Sequence, residues 1–248
     1  MLKRAIVVGA STGIGAALSR RLAREGYRVA AVARQKDALE ALAREVNGAH
    51  PEQQRLWPFV HDVTITETAR DHFEQMVQTL DGLDLIVYCA GVMPRISEDQ
   101  YDINVDRTII EVNVIGAMAW LNLAAERFQV QQGGTIVGIG SVAGDRGRRG
   151  NPAYCASKAA LHTYLESLRN RLARFGVNVI TIKPGPVRTP MTEGLEKMPM
   201  AIDSEAAADG IFKAIVRKES EAYIPIQWGL IMPVIRSIPS ILFRRMSL

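Results

Sequence analysis

The segment YCASK, residues 154–158, sets a phenol four positions before an ammonium. On a helix, positions i and i+4 share a face, so Tyr154 and Lys158 would stand one above the other. A phenol beside a cation can give or take a proton. An unperturbed tyrosine titrates near 10, and bringing it to about 7 takes roughly 4 kcal/mol of differential stabilisation. A neighbouring ammonium works in that direction. The pair is equally compatible with two unrelated residues on a solvated helix, because Tyr-x-x-x-Lys alone is a common pattern. Its meaning depends on whether the chain also builds a site for a reactant.

A second pattern supplies one. VVGASTGIGAAL (7–18) carries Gly9, Gly13 and Gly15, with Ser11 and Ile14 between them, at the junction of an apolar run and a helical pattern. Glycines there allow a sharp turn and the close approach of a pyrophosphate, and the helix start aims free N–H groups at the anion. The alternative is an ordinary glycine-rich turn, but the position after the first strand points to dinucleotide binding. The next strand ends AVARQK (31–36), without the carboxylate that would hold a ribose 2′-hydroxyl and repel a 2′-phosphate. Arg34 offers a planar fork of donors suited to that phosphate. The expected cofactor is therefore NADP rather than NAD. Asp37, the nearest acid, reads as part of the first turn of the following helix.

These groups must be held by regular elements, and the chain alternates short apolar runs with longer helical patterns. Strands are expected at 4–10, 27–33, 56–62, 83–90, 134–140, 177–183 and 221–226. Helices are expected at 13–26, 36–46, 66–80, 102–130, 154–175 and 204–218. Gly26 and Gly176 sit where helix ends need a left-handed residue. On the first helix Ile14, Ala17, Leu18 and Leu22 form one face. Such alternation implies βαβ units: a Rossmann-type, doubly wound parallel sheet of about seven strands with helices on both faces. No composition shift divides the chain, so residues 1–248 read as a single α/β domain.

Composition agrees with that class. Of 248 residues, 48% are apolar and 23% charged, and the net charge of +4 comes without a basic run that would suggest a nucleic-acid partner. Cys89 and Cys155 are too few for a disulfide framework, and the scattered histidines His50, His61, His72 and His162 make no metal-ligand spacing. No metal is expected. Lys3 and Arg4 imitate the start of a signal peptide, but the apolar run stops at Gly9. With no clear spanning helix, the cytoplasm is the expected compartment.

Taken in order, the motifs resemble those of the classical short-chain dehydrogenase/reductase family. The resemblance runs from Gly9 to about Thr189. It matches the glycine motif at Gly9, Gly13 and Gly15, the adenine-side Asp at Asp62 in HDVT with Val63 beside it, and the catalytic Asn at Asn113 in NVIG. It matches the Ser at Ser141 in GIGSVAG, thirteen residues before Tyr154. KPGPVRTP (183–190) matches the segment that meets the nicotinamide, at Pro184, Gly185, Val187 and Thr189. The family usually has Asn-Asn-Ala-Gly after strand four. This chain has Tyr88, Cys89, Ala90 and Gly91, which keeps the close approach at Ala90 and Gly91 but loses the two asparagines that brace neighbouring strands.

The resemblance implies a carbonyl/alcohol oxidoreductase. Tyr154 would be the general acid or base, Ser141 would hold the substrate oxygen, Lys158 would hold the nicotinamide ribose, and Asn113 would hold a water beside Lys158. It also implies a homodimer or homotetramer built on the helices at 102–130 and 154–175. Substrate choice should lie in the loops, where Met93, Met191, Met198 and Met200 suit an adaptable apolar pocket, with a lid at about 189–218. Arg146, Arg148 and Arg149 in GDRGRRGN (144–151) could meet an acidic substrate such as a 3-oxoacyl thioester, or could be solvated. A competing class is a non-catalytic NADP-sensing scaffold.

The tail 225–248 is apolar, with Trp228 near its start, no acidic residue, and Arg236, Arg244 and Arg245 as its only charges. Pro233 and Pro239 should break it into short pieces. Packing on its own domain, lidding the pocket, burial against a second subunit and peripheral docking on a membrane are all compatible with that pattern.

Overall fold

Runs of valine, isoleucine and alanine too short for helices pair side by side in the computed structural model, which describes residues 3–195 and 197–246. Met1, Leu2, Glu196, Ser247 and Leu248, all within the expected domain and two of them in the tail, lie outside the described residues. Seven strands form one parallel sheet: β1 (Arg4–Val8), β2 (Arg28–Ala33), β3 (Leu56–Val60), β4 (Leu85–Tyr88), β5 (Gly134–Ile139), β6 (Val177–Pro184) and β9 (Glu221–Ile224). A small separate pair, β7 (Val187–Arg188) and β8 (Ile202–Asp203), was not expected. The strand order β3-β2-β1-β4-β5-β6-β9 reverses direction at β1, which pairs with β2 on one side and β4 on the other. Pro58 is tolerated in β3 because that strand lies at the sheet edge.

Helices cover both faces, as a sheet buried on both sides requires. On one face pack α1 (Gly13–Arg24), α2 (Lys36–Gly48) and α7 (Ser204–Arg217); on the other, α3 (Ala69–Leu80), α5 (Gly116–Gln131) and α6 (Pro152–Leu172). Ala17, Leu18 and Leu22 of α1 are buried as their spacing implies, and each fully buried leucine contributes about 1.5–3 kcal/mol. Gly26 and Gly176 close their helices at φ +84° and +68°. Within the stretch expected as a lid, about 189–218, α7 instead packs against α1 with Ala207, Ala208, Ile211 and Phe212 buried.

Two further differences have local causes. The helix expected over 102–130 is α4 (Ile103–Ile110) and α5 joined by a π-helical turn, Glu111–Ile115, with Asn113 at its centre. By length and composition the run Ile103–Gln131 could cross a membrane, but 61% of its most apolar stretch is buried inside the molecule, so it serves as a core helix. Pro233 does not break the tail. It lies within α8 (Trp228–Ser237), whose buried anchors Trp228 and Met232 hold the helix despite the lost backbone bond. Pro239 does separate α8 from α9 (Ser240–Phe243).

The missing asparagines after β4 have a substitute. Tyr88 is fully buried and its hydroxyl donates to Val112 O at 2.6 Å, tying β4 to the π-helical turn. Space for that hydroxyl exists because residue 116 is glycine; a Cβ there would stand 2.7 Å from it. Tyr88→Phe should leave Val112 O without its partner and lower the unfolding free energy by about 1–3 kcal/mol, measured by urea denaturation. An unchanged midpoint would show that the hydrogen bond does not brace the turn.

Candidate active site

All the strands end at one edge of the sheet, and the segments that follow them enclose a cavity of about 800 Å³. The reversal of strand order at β1 puts this cavity at the crevice where open α/β sheets bind ligands. Its floor is glycine-rich from necessity. A Cβ at Gly9, whose φ is +87°, would stand 2.6 Å from Ala90 Cα, and one at Gly15 would stand 2.8 Å from the carbonyl carbon of Gly9. The turn between β1 and α1 therefore lies directly against the segment after β4, with the start of α1 open to the cavity. The residues present fit a dinucleotide: Ser11, Gly13, Ile14 and Gly15 line the phosphate end, with Ala90 and Gly91 across from them.

Arg34, Asp62 and Val63, the residues expected on the adenosine side, line the same cavity. Arg34 is mostly exposed and its guanidinium lies 3.6 Å from Asp62. Burial works against the Asp62 charge, but hydrogen bonds from Thr64 and the nearby Arg34 outweigh it and hold the carboxyl below its usual range. Ser11 Oγ donates to Gln35 Oε1 at 2.6 Å.

Pro184, Gly185, Val187 and Thr189 line the other end together with Ser141, Tyr154 and Lys158. The start of α6 is fixed by Asn151, whose side chain accepts from Tyr154 N at 3.0 Å while its own amide donates to Pro94 O, with Pro152 in the first turn. Lys158 Nζ stands 5.7 Å from the centre of the Tyr154 ring and donates to Ile139 O at 2.9 Å. Burial pushes Lys158 down to about 8. Burial also pushes Tyr154 up to about 12, against a hydrogen bond with Ser141 and the charge of Arg148, which both pull it down. The cation expected to tune the phenol was Lys158. The ammonium is committed to a carbonyl at the end of β5, and the charge that reaches the hydroxyl is that of Arg148 in the cavity wall.

Asn113 stands one layer behind the cavity. Its Oδ1 accepts from Val92 N at 2.8 Å and its Nδ2 donates to Val92 O at 3.1 Å and Ser157 Oγ at 3.0 Å. The side-chain amide thus clamps the segment after β4 onto α6. Ser141 accepts from Ala143 N with its hydroxyl oxygen, leaving its O–H to donate.

Behind Ser141 lies a cluster that sequence reasoning missed. Ser141 N donates to His162 Nε2 at 3.3 Å, and His162 Nδ1 faces Asp145 Oδ1 at 3.6 Å. Asp145 pairs with Lys183 at 3.0 Å and accepts from the Tyr223 hydroxyl at 2.6 Å, and Lys183 also pairs with Glu221. Burial, with Lys183 adding to it, pushes His162 down to about 3, so the ring is neutral and can accept from Ser141 N. The one signal available was spacing: Tyr154, Lys158 and His162 follow at i, i+4 and i+8.

Of the four methionines expected to line the pocket, Met93, Met191 and Met198 do, whereas Met200 is exposed outside it. Trp228 closes the cavity from α8, and a Cβ at Gly185 would stand 2.6 Å from its Cδ1 and closer still to its Nε1. Among the three loop arginines only Arg148 lines the cavity; Arg146 and Arg149 hold the tail.

Comparison with known proteins agrees with this geometry. The family model for short chain dehydrogenases matches residues 3–199. An uncharacterized oxidoreductase of Myxococcus xanthus is 35% identical over 97% of this chain and 94% of its own length. Carbonyl reductase family member 4 of Xenopus tropicalis is 34% identical over 79% of this chain and 80% of its own. Among solved structures, a short-chain dehydrogenase/reductase from Mycobacterium marinum superposes with a TM-score of 0.79 at 28% identity, covering 89% of this chain and 93% of that one. One from Mycobacterium ulcerans superposes at 0.81 and 24% identity, covering 89% and 87%, which speaks for the fold. Matched by the family model over most of its length and by a relative 35% identical across nearly all of it, the chain belongs to the short chain dehydrogenase family.

Proposed function

We propose that the protein is an NADP-dependent oxidoreductase that interconverts a carbonyl and a secondary alcohol on an apolar substrate. The observation that carries this reading is the meeting of Ser141, Tyr154 and Lys158 in one wall of the cavity whose other end is the glycine cradle. The name of the Xenopus relative supports the carbonyl, and Met93, Met191, Met198 and Trp228 support an apolar substrate. NADPH, when bound, supplies the hydride.

The chain's own groups supply the rest. Gly9, Ser11, Gly13, Ile14 and Gly15 would receive the pyrophosphate, Asp62 and Val63 the adenine side, and Arg34 the 2′-phosphate. Ala90, Gly91, Pro184, Gly185, Val187 and Thr189 would border the nicotinamide half. The Ser141 O–H donates to the substrate oxygen and stabilises charge developing there. Tyr154 is protonated throughout the neutral range, since it titrates near 12, and so is a general acid ready for reduction. Lys158, which carries its charge below about 8, would hold the nicotinamide ribose from the cavity wall. Asn113 acts by position, fixing Val92 and α6 relative to each other. Exposed Ile103 and Ile115 on the helices α4–α5 support assembly as a homodimer or homotetramer. Arg148 favours, as a second reading, a substrate with an anionic part such as a 3-oxoacyl thioester. A non-catalytic NADP sensor would have no use for the Ser141–Tyr154 arrangement.

Tyr154→Phe should lower carbonyl reduction by about 10²–10⁴-fold while NADPH binding, followed by fluorescence titration, stays nearly intact. Wild-type turnover in that variant would remove Tyr154 from the chemistry. Arg34→Asp should move the ratio of kcat/KM for NADPH over NADH toward NADH by about tenfold or more, the worth of a lost charge-assisted contact. An unmoved ratio would place 2′-phosphate recognition elsewhere. The pH profile of reduction should be level below about 8 and fall above it as Lys158 loses its proton. A profile flat through that region would mean that the Lys158 charge is not needed.

A further inference from the structure

We propose that the outer face of α8 and α9 docks the protein on an anionic lipid surface. The proposal is independent of the reaction assigned to the cavity. Its basis is a helix that is apolar on both sides but buried on only one. Trp228 and Met232, at i and i+4, are 5% and 0% exposed. Leu230 and Val234, also at i and i+4 but on the opposite side, are 80% and 64% exposed. Ile226 before the helix and Ile241 and Leu242 in α9 extend the same kind of surface, each more than half exposed. A helix apolar all round belongs in an apolar environment on all sides, and the fold supplies it on one.

Charge points to what covers the other side. Residues 225–248 contain no acid, and Arg236, Arg244 and Arg245 are all exposed. The end of the tail is held in place by two more cations. Arg146 donates to the carbonyls of Ile235 and Arg236 and stacks over the Phe243 ring at 3.8 Å, and Arg149 donates to Arg244 O. A second copy meeting this face through a two-fold axis would bring arginines against arginines with no carboxylate of the tail between them. A lipid surface with phosphate headgroups satisfies both features at once, apolar side chains below the headgroups and arginines among them. The inner side of the same helix carries Trp228 in the cavity wall, so the docked surface and the cavity share one element.

The test is co-sedimentation of the full chain with vesicles of phosphatidylcholine and phosphatidylglycerol, beside vesicles of phosphatidylcholine alone. Binding to the anionic vesicles only, weakened by salt, is expected. The double variant Leu230→Glu, Val234→Glu changes two exposed side chains outside the cavity and should lower the bound fraction by about tenfold or more, with dinucleotide binding and thermal unfolding unchanged. Arg244→Glu, Arg245→Glu should weaken binding to anionic vesicles by a similar factor. Full-length protein left in the supernatant with anionic vesicles at low salt overturns the proposal. Equal binding to neutral vesicles overturns the anionic requirement. If light scattering instead shows Leu230→Glu, Val234→Glu breaking an oligomer in a protein that ignores vesicles, the face is a contact between copies.

Discussion

Everything at the site hangs on how closely the turn after β1 lies against the segment after β4. Gly9 passes Ala90 with no room for a side chain, and that contact exists because β1 pairs with both β2 and β4, the point where the strand order reverses. The crevice, the opening of α1 onto it and the course of residues 90–92 follow from this one packing. Asn113 grips Val92 by two hydrogen bonds and Ser157 by a third, so the position of the segment after β4 passes directly to α6. The phenol and the ammonium on α6 are thus set relative to the glycine cradle through a short series of buried contacts.

Two buried lysines near the site show how surroundings decide what a charge can do. Lys183 is enclosed with Asp145 and Glu221, two carboxylates within ion-pair distance. Lys158 is as deeply buried, and its ammonium donates to a single carbonyl, Ile139 O. With no carboxylate to offset burial, its affinity for the proton falls. One lysine is a brace and the other is an adjustable charge, though both lie at the ends of neighbouring strands β5 and β6 or against them.

What could be read from the sequence was what depends on local pattern. Strand and helix positions followed from periodicity, the helix ends at Gly26 and Gly176 from the need for positive φ, and the cavity residues from motifs confined to a few positions each. What escaped depends on partners far away in the chain. The π-helical turn is bound to Tyr88, twenty-four residues earlier. Asp145, His162, Lys183 and Tyr223 carry no common spacing and meet only when β5, α6, β6 and β9 are packed. Pro233 looked like a helix breaker because the burial of Trp228 and Met232 beneath it cannot be seen from composition. Lys158 looked like the cation nearest the phenol because one helical turn separates them, but the side chain follows its carbonyl partner to the end of β5, and Arg148 comes from a loop whose course no local pattern gives. Met200, one residue beyond Pro199, the last of that segment to line the wall, was grouped with its neighbours by composition alone.

The contact between the Tyr88 hydroxyl and residue 116 also constrains how such a chain can change. With any larger residue at 116, the Cβ would occupy the place where the phenol must enter to reach Val112 O. Tyrosine at 88 is acceptable only when 116 is glycine. The two positions are therefore coupled: a small polar residue at 88 in the present background would leave a void beside Gly116 and an unpartnered carbonyl in the π-helical turn. A graft of the usual asparagine pair into this protein would have to exchange both positions together.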